Sequence, residues 1–435
     1  MMEIFSSLIS KIKDFIFPKN NFQRGVSWNA LTFGIMGLSG IVLNLLIITK
    51  YGAEILGAFN QVYAVYIFAS QFAVFGIYAS VLKHISQYSE DRAVCNEIIT
   101  SALIIGIITG GLVSFFYYLS IPFAEKLLGS ALVAKGLFFS VIGLWCFALN
   151  KILLAFLNGM RQMKAFALFT GFRYVMMPLF LLAFIILKLP GFICPLAFTL
   201  TEFVLLIGLA IFSFRFFSIT SINQCKKWLK IHLPFGAKSL IGGSIIELNS
   251  RIDVFMLGIF SSDKLVGIYS LAAIFADGFS QIPVIFQVNY NPLLTKLVAS
   301  KRLEELRSVI KSFLKKWTPF ALMIAALTVL IYPLMVKVVS SDPEVSKSWL
   351  VFAILMAGIM IRSGYAVFWE LPSQSGFPGH QTAMILLVTA TNVFLNYLFI
   401  PPWGMYGAAI ATSISLVLGI FYQKLIVKKI LGINI

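Results

Sequence analysis

Twelve apolar stretches, each about as long as a helix needs to cross a bilayer, run through nearly the whole of this 435-residue chain. A helix rises roughly 1.5 Å per residue, so some 30 Å of hydrocarbon takes about 20 residues. The stretches fall at 25–49, 58–82, 98–119, 136–158, 166–187, 193–214, 236–260, 266–290, 315–336, 350–370, 381–399 and 405–427. In hydrocarbon a backbone must satisfy its own hydrogen bonds, which makes a helical bundle the reading of such runs. Charged residues are only 12% of the chain, against about a quarter in a water-soluble domain. The connectors are too short to hold a soluble catalytic domain, so any function has to be built from the bundle itself.

A net charge of +17 invites a nucleic-acid reading, but the excess sits in short connectors between spans. Of the 34 Lys and Arg, 22 lie on the side of the N-terminus, counting Lys315, Lys316 and Lys424 at span ends, seven on the opposite side and five deeper inside spans. The positive-inside rule then makes both termini cytoplasmic. Residues 1–20 form an expected interfacial helix: Phe5, Leu8, Ile9, Ile12, Phe15 and Ile16 share one face, and Pro18 ends it. The mixed charge of this segment and the length of the first span argue against a cleavable signal peptide. Cys95, Cys146, Cys194 and Cys225 show no paired spacing, so neither disulfides nor a metal site is expected.

The two halves echo one another. Tyr51 to Asn60 links the first two spans and Phe260 to Ser270 links spans seven and eight; in each, a glycine (Gly57, Gly267) is followed two residues later by an aromatic. Asn158 and Gly159 after span four match Ser375 and Gly376 after span ten. Six spans per repeat is an even number, so the repeats run parallel about an axis along the membrane normal. The expected architecture is therefore an all-α membrane protein of twelve transmembrane helices in two six-helix lobes with pseudo-two-fold symmetry. The N-lobe covers 21–218 and the C-lobe 219–435.

A charge at the centre of a membrane helix costs about 2.5–3.5 kcal/mol, so ionisable groups inside spans must face protein or trapped water. The basic set is Lys151, Arg173, Lys238, Arg251 and Arg362; the acidic set is Glu202, Glu247, Asp253, Asp277 and Glu370. The simplest alternative has these ten charges neutralise one another in helix contacts. Span seven alone carries Lys238, Glu247, Arg251 and Asp253. At about 100° per residue, Lys238, Asn249 and Asp253 share one face, while Glu247 and Arg251 form an i,i+4 structural ion pair on the opposite one. Lys151, Arg173, Lys238 and Arg362 all lie in the cytoplasmic halves of their spans, with Arg24 and Lys83 at the same rim.

The order and spacing of several motifs carry a resemblance along the whole chain. They are Asn29 and Asn44 in span one, Tyr51 to Gly57, Gly76 to Val81, Pro234 to Gly236, Arg251 with Asp253, Gly267 with Tyr269, and Asn291 with Pro292. With these the chain resembles the polysaccharide-flippase branch of the multidrug/oligosaccharidyl-lipid/polysaccharide exporter superfamily, particularly bacterial O-antigen flippases. The resemblance implies a protein of the bacterial inner membrane that flips undecaprenyl-pyrophosphate-linked oligosaccharide to the periplasmic leaflet by alternating access. A polysaccharide polymerase and a chain-length regulator are the protein partners such a role implies.

On that reading Arg24, Lys83, Lys151, Arg173, Lys238 and Arg362 are the expected substrate headgroup residues, a cationic cavity for a lipid pyrophosphate. Arg forks match phosphate oxygens and Lys supplies a point charge. The lipid II flippase branch holds sodium between its seventh, eleventh and twelfth helices, and Asp253, Asn392, Asn396, Ala408 (through its carbonyl) and Thr412 fall at positions resembling that site. Oxygen ligands suit a hard cation, so sodium or a proton is the expected coupling ion; otherwise these groups are interhelical hydrogen bonds. No other cofactor, no nucleic acid and no enzymatic activity is expected. The alternative function is a multidrug or toxin cation antiporter of the same superfamily, against which the cytoplasmic-side cations argue. A membrane-embedded polymerase or acyltransferase would want long outward loops bearing histidine, and His84, His232 and His380 all fall near the cytoplasmic boundary.

Overall fold

The computed structural model describes residues 21–435, side chains 21–33, 241–243, 246 and 248 excepted. The expected interfacial helix over 1–20 and the side chains of Arg24 and Asn29 lie outside the described residues. All secondary structure in the described part is helical: α1 Asn21–Val74, α2 Ile77–Gln87, α3 Arg92–Leu119, α4 Ile121–Leu128, α5 Ala131–Gly159, α6 Met163–Ile186 and α7 Leu196–Ser213. Then follow α8 Ile222–Phe260, α9 Asp263–Ala299, α10 Leu303–Val339, α11 Ser348–Ala366, α12 Leu371–Gln374 and α13 Pro378–Leu431. Among the described residues nine helical segments are long and apolar enough to cross a membrane, and the protein is a multi-pass membrane protein.

Two of those segments each hold two of the apolar runs read from the sequence. In α1 the runs are joined through Gly52 (φ 86, ψ 177), and in α13 through Gly404 (φ 52, ψ −130), which follows Pro401 and Pro402. Positive φ is cheap only for glycine, and paired prolines withdraw two helical donors just before the second break. The run expected at 236–260 lies in α8, which is not among the nine. A break the sequence reading missed falls inside the run expected at 58–82, where Phe75 (φ 50) and Gly76 (φ 65) end α1 and start α2. Packing explains it. A Cβ on Gly76 would lie 2.4 Å from the Gly236 carbonyl oxygen, and one on Gly236 would lie 2.4 Å from that of Phe75.

Close packing divides the chain into two compact units. One consists of residues up to Leu46, Tyr66–Phe123 and Ala134–Ser244; the other of Ile47–Val65, Ala124–Val133 and Ile245–Ile435. The core of the first joins Ile77, Val81 and Ile85 of α2 to Ile98, Ile99 and Ile105 of α3, Ile152 and Phe156 of α5, Leu205 of α7 and Trp228 of α8. The core of the second joins Leu294 and Leu297 of α9, Leu306, Ile310, Phe313 and Trp317 of α10, Phe368, Leu371 and Val427. Exposed side chains such as Ile186, Leu330 and Val338 are ordinary here, because lipid tails are as apolar as leucine.

For the same reason apolar burial alone does not hold membrane helices together; small-residue contacts and polar bonds do much of it. In the second unit a Cβ on Gly57 would lie 1.7 Å from the carbonyl oxygen of Asp263, and one on Gly267 would lie 1.8 Å from that of Ala53. The adjoining Asp263 carboxylate caps this contact, accepting from Gln61 Nε2 (2.6 Å) and Ser130 Oγ (2.5 Å). Beside it, Lys264 pairs with Asp342 (2.9 Å) and Glu344 (2.5 Å), an exposed cluster in which the ammonium holds both carboxyls below their usual range.

Candidate functional site: charges inside the helices

In the first unit, α5, α6 and α7 bring Asn150, Arg173 and Glu202 together. Arg173 Nε lies 2.6 Å from Glu202 Oε1 and Nη2 donates to Oε2 at 2.9 Å. Asn150 Nδ2 donates both to Oε2 and to the Glu202 carbonyl, each at 2.8 Å. The Glu202 side chain is 3% exposed and that of Arg173 11%, and the guanidinium rests 4.8 Å from the Phe147 ring centre. Arg173, expected among the headgroup residues, thus has its charge committed to a carboxylate in a dry seam. Sequence reading had both partners but no means to pair residues 29 positions apart.

The other expected cations of this unit sit on aromatic rings or in the open. Lys151 Nζ lies 4.8 Å from the ring centre of Tyr78 and 5.6 Å from that of Phe147. Lys83 Nζ lies 5.1 Å from Phe235, and Lys238 is exposed one turn beyond that ring. The Gly76–Gly236 contact therefore gathers Lys83 and Lys238 at one end of the unit. Ring faces attract cations by about 0.5–2 kcal/mol.

In the second unit Arg362 is the clearest case. It is half-buried on α11 with its guanidinium 4.6 Å from the Trp369 ring centre, and among the described residues it has no ion pair. The i,i+4 pair expected between Glu247 and Arg251 is not closed. Arg251 turns instead to the Tyr63 ring, its guanidinium 5.2 Å from the ring centre. An aromatic face from α1 competes with the carboxylate one turn away and takes the guanidinium.

Three of the expected cation residues, Asn392, Asn396 and Thr412, are in contact, while Asp253 bonds to Tyr269, outside that set. Tyr269 donates a short hydrogen bond to Asp253. Asn392 Nδ2 reaches Thr412 Oγ1 (3.3 Å) and Ser415 Oγ (3.1 Å), and Asn396 Nδ2 donates to Asn392 Oδ1 (2.8 Å). Ala408 and Asn396 are fully buried, and Asn396 Oδ1 has no hydrogen-bond partner. A buried amide oxygen left unpaired costs about 1–3 kcal/mol, and amide, hydroxyl and carboxylate oxygens are the ligands a small hard cation takes. Tyr269 and Ser415 were missed from sequence; the repeated glycine–aromatic spacing around Gly267 marked Tyr269 without revealing what it touches. Among the described residues no three of His, Cys, Asp and Glu gather as a metal-binding group.

Comparison with known proteins places these features. Residues 22–282 match the polysaccharide biosynthesis protein family. A curated relative, the probable flippase AglR of Haloferax volcanii, is 25% identical over 173 residues, 39% of this chain and 36% of its own length. The match thus spans about a third of that relative. Among solved structures, an inward-facing multidrug resistance MATE family transporter of the MOP superfamily superposes with a TM-score of 0.74 at 14% identity, covering 90% of this chain and 94% of its own. The lipid II flippase MurJ in an inward closed conformation gives 0.73 at 14% identity, covering 92% and 87%. At such identities the likeness is one of fold.

Proposed function

The chain belongs to the polysaccharide biosynthesis protein family, and from that premise we propose that it is a flippase for lipid-linked oligosaccharide. Its substrate is an undecaprenyl-pyrophosphate-linked O-antigen repeat unit, carried from the cytoplasmic to the periplasmic leaflet of a bacterial inner membrane by alternating access. Twelve spans in two six-helix lobes, 21–218 and 219–435, form the scaffold, with both termini cytoplasmic. A polymerase and a chain-length regulator take up the product.

The observation that carries this reading is Arg362. Desolvating a charge costs several kcal/mol in a protein interior, whereas a ring face returns about 0.5–2. A guanidinium kept on Trp369 without a carboxylate is therefore poised for an anion, and a pyrophosphate fits its fork. Lys83, Lys151 and Lys238 supply point charges, and Arg24 belongs to the same set by sequence. Arg173 serves as a structural partner of Glu202. Asp253, Asn392, Asn396, Thr412 and the Ala408 carbonyl would hold a coupling sodium ion or proton, whose downhill movement supplies the driving force.

The test is export in cells lacking the native protein. Arg362→Ala, inserted normally, is expected to leave lipid-linked repeat units on the cytoplasmic face, with Arg362→Lys intermediate. Normal surface glycan with Arg362→Ala would refute the assignment. The antiporter reading draws support from the acids near Arg251, Asp253 and Asp277, which suit a cationic drug. Drug hypersensitivity with normal glycan in the deletion strain would favour it.

A further inference from the structure

We propose that the outer face of the first turns of α10 is a docking strip for the phosphate headgroups of anionic phospholipids in the adjoining leaflet. The inner face of this helix is fixed in the core by Leu306, Ile310, Phe313, Trp317 and Ala321. Opposite them Arg307, Lys311 and Lys315 follow one another at i, i+4 and i+8, a spacing that stacks side chains on one helix face. Lys311 and Lys315 are exposed and have no ion pair among the described residues. Arg307 has a loose contact with Glu304 at 3.9 Å, itself 85% exposed, and its Nε has no hydrogen-bond partner.

The same strip continues as lipid-facing surface. Two turns beyond Lys315, Leu322 is 55% exposed, and Met323 and Leu330, further along and round the helix, are 62% and 73% exposed. Only 11% of the apolar window of α10 is buried inside the protein, the lowest share of the nine segments. Lipid is thus the neighbour of this face. Seven residues separate Lys315 from Leu322, about 10 Å of rise, which brings the lysines to headgroup level when the leucine is in hydrocarbon. Long basic side chains bury their stems and keep their charges at that level. Basic residues attract an anionic surface, and three in register present a denser charge than a scattered positive-inside excess. The strip lies on the cytoplasmic side if the orientation proposed above is correct.

Native mass spectrometry of the full chain in detergent, titrated with phosphatidylglycerol or phosphatidylcholine, tests this without any transport readout, so it stands or falls apart from the flippase reading. Arg307→Gln/Lys311→Gln/Lys315→Gln is expected to weaken phosphatidylglycerol binding about tenfold and to leave phosphatidylcholine binding unchanged. Lys311→Arg/Lys315→Arg and a control, Lys428→Gln/Lys429→Gln, are expected to bind as the native chain does. Unchanged phosphatidylglycerol binding in the triple variant, an equal fall for both lipids, or an equal fall in the control would overturn the proposal. Should the triple variant not fold, phosphatidylglycerol binding by the native chain that is indifferent to 0.5 M salt would overturn it as well.

Discussion

Gly57 and Gly267, matched in sequence as equivalent positions of two repeats, pack directly against each other. Each faces the carbonyl of the residue four positions before its partner, Asp263 in one direction and Ala53 in the other, so the contact has local two-fold character. Backbones this close exchange Cα–H···O contacts, and no side chain larger than hydrogen fits between them.

Substitution at this crossing is therefore expected to act by separation. In Gly57→Val a Cβ set 1.7 Å from the Asp263 oxygen must force the helices apart, pulling Asp263 from Gln61 and Ser130. Overpacking of this kind costs about 1–3 kcal/mol. Gly57→Val and Gly267→Val should each lower the melting temperature in detergent and reduce export, and the double variant should cost less than the sum because one separation serves both. Strict additivity would show that the two glycines do not share a contact.

Arg173 and Glu202 give the second prediction. Removing one partner of a buried pair costs about 3–5 kcal/mol, whereas replacing both with apolar residues is near neutral. Arg173→Ala and Glu202→Gln should each destabilise strongly, while Arg173→Met/Glu202→Leu should recover most of the melting temperature and also export. Recovery of stability without export would restore Arg173 to the headgroup set.

These two sites show what was legible and what was not. Local pattern was: the apolar runs, the glycine–aromatic repeats and the prolines all recur as the elements that carry them. Pairing across helices was not. Nothing in the spacing of Glu247 and Arg251 says that Tyr63, nearly two hundred positions away, takes the guanidinium, nor that Glu202 takes Arg173. The break at Phe75 and Gly76 escaped for the same reason, since only the backbone of Gly236 opposite explains it.

His232 supplies a dependence on pH. It lies in α8 before the apolar run expected to begin at 236, fully buried, with Nε2 3.2 Å from the Ile98 carbonyl and Nδ1 2.8 Å from Ser80 Oγ. A carbonyl only accepts, so Nε2 carries the proton and Nδ1 accepts from the hydroxyl. His84 donates from Nδ1 to the Ser80 carbonyl at 2.8 Å, Lys83 stands beside it, and among the described residues neither histidine has an ion pair with an acid. Burial pushes His232 down to about 4, against about 6.5 unfolded. The unfolded chain then binds more protons between those values, so this stabilisation is complete above about pH 6.5 and is lost as pH falls toward 4, at most about 3 kcal/mol. Melting temperatures from pH 7.5 to 5 should fall in the native chain and flatten in His232→Leu. An equal slope in both would place the dependence elsewhere.

The cation set closes the series, because its chemistry can be read without transport. Asn396 Oδ1 is buried and unpaired, one amide away from the group that reaches Thr412, and Asp253 accepts a hydrogen bond from Tyr269. A ligand that binds only the folded state stabilises by RT ln(1 + [L]/Kd), about 2.7 kcal/mol at a hundredfold excess over Kd. Sodium at tens of millimolar should therefore raise the melting temperature of the native chain, and potassium should do so less. Asp253→Asn removes the single charged ligand and is expected to abolish the shift. Asn396→Asp adds a carboxylate where the unpaired oxygen stands and is expected to increase it, since ligand charge raises affinity for hard cations. A shift that survives Asp253→Asn would mean that sodium binds at another place, and the asparagines would then serve only as bonds between helices.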